Sequence, residues 1–294
     1  MKRFLPIFES CFEMTDISPK EIPRLKSIAK QLRCEAIKMV GRAGTGHIGG
    51  SLSCCEILTV LYFSVLRIDP SNPKWPDRDR FILCKGHATP MMYAVLAERG
   101  YFPKEWLETF DVPLSKLAKH VDMHLTPGVE MSTGALGQGL SVAIGMALAA
   151  KLSGQDYRIY GLLSDGENES GQTWEAAMSA SKFGLDNLIA AVDRNKLQVD
   201  GATDADERIM PLEPLADKWK SFGWEVIEVD GHDFRKLLAA YHKAKATKGK
   251  PVVIIADTIK GKGVDFMENN VAWHHKAITQ DQVELALQQI EQDR

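Results

Sequence analysis

The chain has 294 residues, 45% of them hydrophobic and 26% charged, with a formal net charge of −3. That is enough apolar material for a large core, and it leaves no basic surplus that would favour nucleic acid or an anionic membrane. No run approaches the roughly eighteen uninterrupted apolar residues of a membrane span, Pro6, Glu9 and Glu13 interrupt the N-terminal stretch before signal-peptide length, and five cysteines without a CxxC pair fit reduced thiols in a cytoplasmic chain rather than disulfides or a zinc site.

With no repeat, low-complexity tract or long linker, a single α/β domain over residues 1–294 is the simplest partition, with 1–20 as an N-terminal extension. Ser18-Pro19, with Glu21 three places after Ser18, reads as a helix start, and Ile22, Leu25, Ile28, Ala29, Leu32 and Ala36 continue at helical spacing towards Met39. Residues 41–51, GRAGTGHIGGS, are too glycine-rich for a helix, and an apolar helix is expected from about Cys54 to Val65. This loop could cradle phosphate through its N–H groups, yet it lacks the Gly-Lys-Ser/Thr of a P-loop and the preceding strand of a dinucleotide fingerprint. The proline-broken stretch 69–79 must be a surface connection. A short strand through Phe81–Leu83 then ends at Lys85-Gly86-His87-Ala88, and Met91–Arg99 reads as a helix closed by Gly100.

Trp106–Phe110 is expected to be a short helix. His120 and His124 have the i, i+4 spacing of a helical metal pair, but Thr126-Pro127-Gly128 argues for a loop and no third ligand follows at the right distance, so the pair does not read as a zinc site. Ser132–Ser141 is a second glycine-rich turn, opening an alanine-rich helix to about Leu152 whose N-terminal N–H groups can face an anion or a polar ring.

The central stretch, residues 157–201, carries most of the functional signal. An apolar strand, Ile159–Leu163, stops at Ser164-Asp165-Gly166; a helix follows from about Gln172 to Phe183, with Trp174, Ala177, Met178 and Ser181 on one face; a second buried strand, Asn187–Val192, ends at Asp193-Arg194-Asn195. Strand, helix, strand gives a parallel sheet with helices on its faces, and such sheets bind ligands beyond the carboxyl ends of their strands, where Asp165 and Asn195 both fall. A carboxylate and an amide oxygen are hard ligands suited to Mg²⁺ or Ca²⁺ holding a diphosphate; they are equally residues that begin turns. Trp224–Val229 and Pro251–Asp257 continue the pattern as strands around a helix at Phe234–Ala246. Lys260-Gly261-Lys262-Gly263 reads as a solvated turn, and a helix over Glu284–Gln292 ends the pattern.

Six of these motifs, in order from about Leu32 to His275, resemble the transketolase branch of the thiamine-diphosphate enzymes: Thr45-Gly46-His47, Gly86-His87-Ala88, His120 ahead of Pro127-Gly128-Val129-Glu130, Ser132-Thr133-Gly134, the Asp165-Gly166 to Asn195 signature with Trp174-Glu175-Ala176-Ala177 and Leu185-Asp186-Asn187-Leu188-Ile189, and Asn269-Asn270-Val271-Ala272-Trp273-His274. The resemblance implies the thiamine-diphosphate-binding fold, with that cofactor and Mg²⁺ (or Ca²⁺ or Mn²⁺). It implies that Asp165, Asn195 and the main-chain carbonyl of Leu197 hold the metal, and that His87, Gly134, Ala135, Leu136, Gly166, Asp193, Asn195 and His274 contact the cofactor. His47, His87, His120 and His274 would bind or polarise substrate oxygens and move protons, as imidazoles do near neutral pH.

Ser164 stands where the family has glycine, Ser170 where this branch has glutamate (with Glu169 one place early), and Lys119 and Val121 flank His120 where the family has glycine and proline. The following family domain, which supplies the cofactor-activating glutamate and most residues selecting the far end of the sugar, is expected on a separate partner polypeptide. The expectation is therefore the N-terminal subunit of a split transketolase, pairing with a C-terminal subunit in a heterotetramer and moving a two-carbon unit from a ketose or ketose phosphate to an aldose. Rival readings are a deoxyxylulose-phosphate synthase-like or 2-oxoacid dehydrogenase-like subunit, or a non-catalytic relative.

Overall fold

The computed structural model describes residues 18–292; most of the expected N-terminal extension lies outside them. In chain order the helices and strands are α1 (Glu21–Ala43), α2 (Ile48–Ser53), α3 (Cys55–Val60), β1 (Arg80–Ile82), α4 (Thr89–Arg99), α5 (Gln138–Leu152), β2 (Ile159–Ser164), α6 (Gly171–Lys182), β3 (Leu188–Arg194), α7 (Leu215–Ser221), β4 (Glu225–Asp230), α8 (Phe234–Ala246), β5 (Val252–Asp257) and α9 (Gln280–Gln292). The five strands form one parallel sheet in the order β1-β2-β3-β5-β4. No helix among the described residues is long and apolar enough to cross a membrane.

Alternation along the strands explains why both faces are covered. Tyr160, Leu162, Ile189, Ala191, Val252 and Ile254 point into one core with α1, α3, α4, α8 and α9. Ile159, Leu163, Leu188, Ala190, Val192 and Val253 point into the other with α5, α6 and α7. Register is tight where it positions the site: Ser164 pairs with Asp193 and Asp193 with Ala256, so the carboxyl ends of β2, β3 and β5 finish side by side.

The strands and most helices fall where the sequence placed them. The glycine-rich stretch 41–51 does not: α1 continues through Gly41 to Ala43, and α2 runs through Gly49 and Gly50. Tertiary packing overrides low helix propensity here. A Cβ at Gly49 would sit 2.6 Å from the Trp273 carbonyl oxygen, so the absent side chain lets the helix meet the loop that carries His274. On α6 the buried face is Thr173, Ala176, Ala177 and Ala180 rather than the face drawn through Met178, which is 53% exposed. Trp106–Phe110 is a 3₁₀ turn over Lys104–Thr109.

Candidate active site

The cleft, about 260 Å³, opens where the ends of β2, β3 and β5 meet the turn before α2 and the loops at 120, 134 and 274. Asp165 follows the last residue of β2 and is buried. Its Oδ1 accepts from the Gly166 N–H at 2.9 Å, and its Oδ2 accepts from the Lys196 N–H at 2.5 Å and from Arg194 Nη1 at 3.3 Å. Burial, and then the neighbouring Asp193, push its carboxyl pKa up. Asn195, just past β3, accepts through Oδ1 from the Leu197 N–H at 3.2 Å and donates through Nδ2 to Asp193 Oδ2 at 3.1 Å. The Leu197 carbonyl lies 2.9 Å from Lys260 Nζ.

Asp165, Asn195 and Leu197 therefore line one wall with a single carboxylate, an amide and a main-chain carbonyl. Hard oxygens of low total charge suit Mg²⁺ or Ca²⁺ that takes its remaining ligands from a diphosphate. Lys260 Nζ donates to the Leu197 carbonyl and so stands where diphosphate oxygens would need a counter-charge. The residues present fit the metal and diphosphate.

Four histidines from four separate segments also face the cleft. The His47 ring centroid lies 5.5 Å from that of His87, 6.0 Å from His120 and 5.7 Å from His274, and His87 stacks on His274 at 5.5 Å. All four line the cleft. Burial drives each towards the neutral form, helped by cationic neighbours: His47 falls to about 4, His274 to about 3, His87 well below its usual value, and His120 is lowered too. Neutral imidazoles at physiological pH both accept and donate hydrogen bonds, which suits them to hold hydroxyl groups and relay protons.

Gly134, Leu136 and Gly166 also line the cleft, as the sequence placed them. Two candidates sit elsewhere. Ala135 is exposed beside the cleft, and Asp193, fully buried, lies beneath it and steers Asn195 instead of facing a ligand.

Three further residues escaped the sequence reading. Lys260 is 2% exposed, not solvated; its Nζ stands 2.9 Å from His274 Nδ1, and burial lowers its pKa to about 8. Lys85, fully buried, pairs with Asp193 and donates to the Gly50 carbonyl at 2.8 Å. Glu167 accepts from the Gly137 N–H at 2.8 Å and the Ser164 N–H at 3.2 Å, tying the glycine turn before α5 to the end of β2. Burial lifts its pKa to about 7. The signal for Lys85 was its place next to Gly86-His87 at a strand end; Lys260 offered only two lysines among glycines. Ser170 stands at the start of α6 against Gly137, where an added Cβ would come within 2.5 Å of its Oγ, and Glu169 reaches Gln198 at 3.1 Å.

A parallel α/β sheet with a polar, histidine-walled cleft at its carboxyl edge defines a cofactor-binding enzyme domain. Residues 25–293 match the family described as "Transketolase, thiamine diphosphate binding domain". The chain is 47% identical over 269 residues to the 6-deoxy-6-sulfo-D-fructose transketolase subunit SqwG of Clostridium sp. (strain MSTE9), covering 92% of this chain and 97% of that one. It is 45% identical to an apulose-4-phosphate transketolase subunit of Actinobacillus succinogenes, covering 92% and 96%. The solved transketolase from Leishmania mexicana superposes with a TM-score of 0.84 at 31% identity, over 92% of this chain and 41% of that one. The chain spans about two-fifths of the length of the solved transketolases that it matches. It belongs to the transketolase family, enzymes that transfer ketol groups, and corresponds to their N-terminal thiamine-diphosphate-binding half.

Proposed function

We propose that this chain is the cofactor-holding subunit of a two-part transketolase that moves a two-carbon ketol unit from a ketose to an aldose acceptor. The observation that carries the reading is the convergence, in one cleft, of the Asp165, Asn195 and Leu197 oxygens with Lys260 and four neutral histidines.

Asp165, Asn195 and the Leu197 carbonyl would hold a divalent metal, with Lys260 beside them to neutralise diphosphate oxygens. Gly134 and Leu136 border the cofactor, and Gly166 leaves the turn open where an added Cβ would come 3.2 Å from Gln198. Bound thiamine diphosphate supplies the carbanion and electron sink for cleaving and remaking the carbon–carbon bond. His47, His87, His120 and His274 orient the hydroxyl and carbonyl oxygens of the sugar and carry protons between them.

A C-terminal subunit completes the site, in a heterotetramer. Apolar Leu136, Val142 and Met178, 41%, 36% and 53% exposed on and before α5 and on α6, are available for that contact. The two relatives named as transketolase subunits carry the names of sugars with a sulfo or a phosphate group, and an acidic sugar is the substrate class proposed here. The test is an assay of the chain with and without its partner subunit, using a ketose phosphate or ketose sulfonate and an aldose acceptor. Ketol transfer only in the mixture upholds the reading. Release of a decarboxylated product from pyruvate, with no use of ketoses, contradicts it.

A further inference from the structure

Just outside the four cleft histidines lies a second cluster with no part in the cofactor reading. Lys119 Nζ donates to Thr45 Oγ1 at 2.7 Å, and Thr45 Oγ1 stands 3.4 Å from His275 Nε2. The His275 ring centroid lies 4.5 Å from that of His47. The three residues come from three separate segments, and each adjoins a cleft histidine in sequence: Lys119 precedes His120, Thr45 lies two before His47, and His275 follows His274.

The cluster is cationic and has hydrogen-bonding capacity to spare. An ammonium carries three N–H donors, and one of those on Lys119 goes to Thr45. Among the described residues the nearest carboxylate, Asp111, is 4.0 Å away, beyond hydrogen-bond reach. The Lys119 side chain is 35% exposed, so an anion can approach its charge without being stripped of all its water. Its field reaches inward: after burial and the other histidines, Lys119 is among the groups that keep His47 uncharged. The Asp165, Asn195 and Leu197 oxygens, the neutral imidazoles and the partly exposed Lys119 thus follow one another outward from the buried Asp193.

We propose that Lys119, Thr45 and His275 form a subsite for the acidic end of the sugar, a phosphate or sulfonate whose oxygens accept from Lys119 Nζ, the Thr45 hydroxyl and a His275 N–H. The proposal rests on the ketol-transfer reading and deepens it: this half of the enzyme takes part in choosing the substrate, the lysine beside His120 adding to the selection made by the other half. A neutral ketose gains nothing from the cluster. An oxyanion would take the place of the contacts these three groups now make with one another at Thr45 Oγ1, and charge-assisted bonds from an ammonium are the stronger ones.

The test begins with the full chain, ¹⁵N-labelled, reading histidine side-chain resonances during titration with inorganic phosphate, with methanesulfonate and with neutral glycerol. His275 and His47 are expected to shift saturably with one or both anions and not with glycerol, the anion that binds tighter naming the substrate class. Lys119→Ala should weaken binding about tenfold, the equivalent of one charge-assisted bond, and Lys119→Arg should restore most of it. No saturable shift, or unchanged binding in Lys119→Ala, would overturn the proposal. In the complex with the partner subunit, Lys119→Ala should raise KM for the acidic ketose about tenfold while KM for an uncharged ketose stays within about twofold; an equal rise for both would also overturn it. A chain that binds the anions through Lys119 but whose complex turns over no ketose would sink the ketol-transfer reading and leave the anion site standing.

Discussion

Lys85 and Asp193 form an ion pair with both side chains 0% exposed, directly beneath the wall that carries Asn195. Ser53 donates to the same carboxylate oxygen at 2.6 Å and Thr258 bonds the other, so both oxygens have partners. Burial opposes ionisation of Asp193, but Lys85 outweighs it and holds the carboxyl below its usual pKa. Removing one partner strands the other charge: Lys85→Met is expected to cost about 3–5 kcal/mol. Urea unfolding measures this, and the double variant Lys85→Met/Asp193→Leu should recover part of the loss. Strict additivity of the two single changes would contradict a coupled pair.

A second buried network acts through the chain segment leading to Lys260. Glu56 bonds Arg33 through one oxygen and His232 Nδ1 through the other at 3.0 Å, while His232 Nε2 accepts the Ile259 N–H at 2.8 Å. Burial pushes the Glu56 carboxyl up, yet Arg33 and then His232 prevail and hold its pKa at about 2, against an ordinary 4.5. Its value in the folded chain is depressed, so the unfolded chain takes up the proton first as pH falls. The stability Glu56 contributes is therefore complete above about pH 4.5 and lost towards pH 2. Glu56→Gln should destabilise the chain by about 3–5 kcal/mol at pH 7, and the gap from the parent in unfolding experiments should narrow between about pH 4.5 and 2.5. A gap constant across that range would refute the account.

The cleft histidines give a prediction of their own. With His47 at about 4 and His274 at about 3, both imidazoles are neutral throughout the physiological range. In the unliganded chain their carbon-bound proton resonances should not titrate between about pH 8 and 6. Both pKa values lie below that of an unfolded histidine, so acidification from about pH 6.5 to pH 4 favours protonated, unfolded chain, and stability falls with pH in that window. Titration of either ring near pH 6.5 would show that burial does not govern the site.

Gly86 and Gly134 bring two site loops into contact: a Cβ on Gly86 would lie 2.6 Å from the Gly134 nitrogen and 2.9 Å from its Cα. Backbone cannot yield as a side-chain tip does. Gly86→Ala should cost about 1–3 kcal/mol in thermal or urea unfolding and weaken thiamine diphosphate binding about tenfold by moving the loop at Gly134. Unchanged affinity would show that this loop does not border the cofactor.

Strand periodicity, the Asp165-Gly166 turn and Gly86-His87 made the sheet and much of the cleft legible in the sequence, because a strand end exposes whatever follows it. Lys260 was not legible: nothing local distinguishes a lysine solvated in a glycine turn from one drawn inward by the Leu197 carbonyl and His274. The resemblance places Asp193 against the cofactor. Alternation across β3 turns it towards Lys85, a contact spanning more than a hundred positions. The helix through Gly49 and Gly50 was hidden for a similar reason, since the close approach of Trp273 that makes glycine useful there is set by the fold.

The most direct test of the central claim is calorimetric titration of thiamine diphosphate with Mg²⁺ into the chain, alone and with its partner subunit, for the parent and for Asp165→Ala. The account predicts saturable, metal-dependent binding that is strongest in the complex and absent in Asp165→Ala. Binding that ignores the Asp165 substitution, or no binding even in the complex, would contradict it.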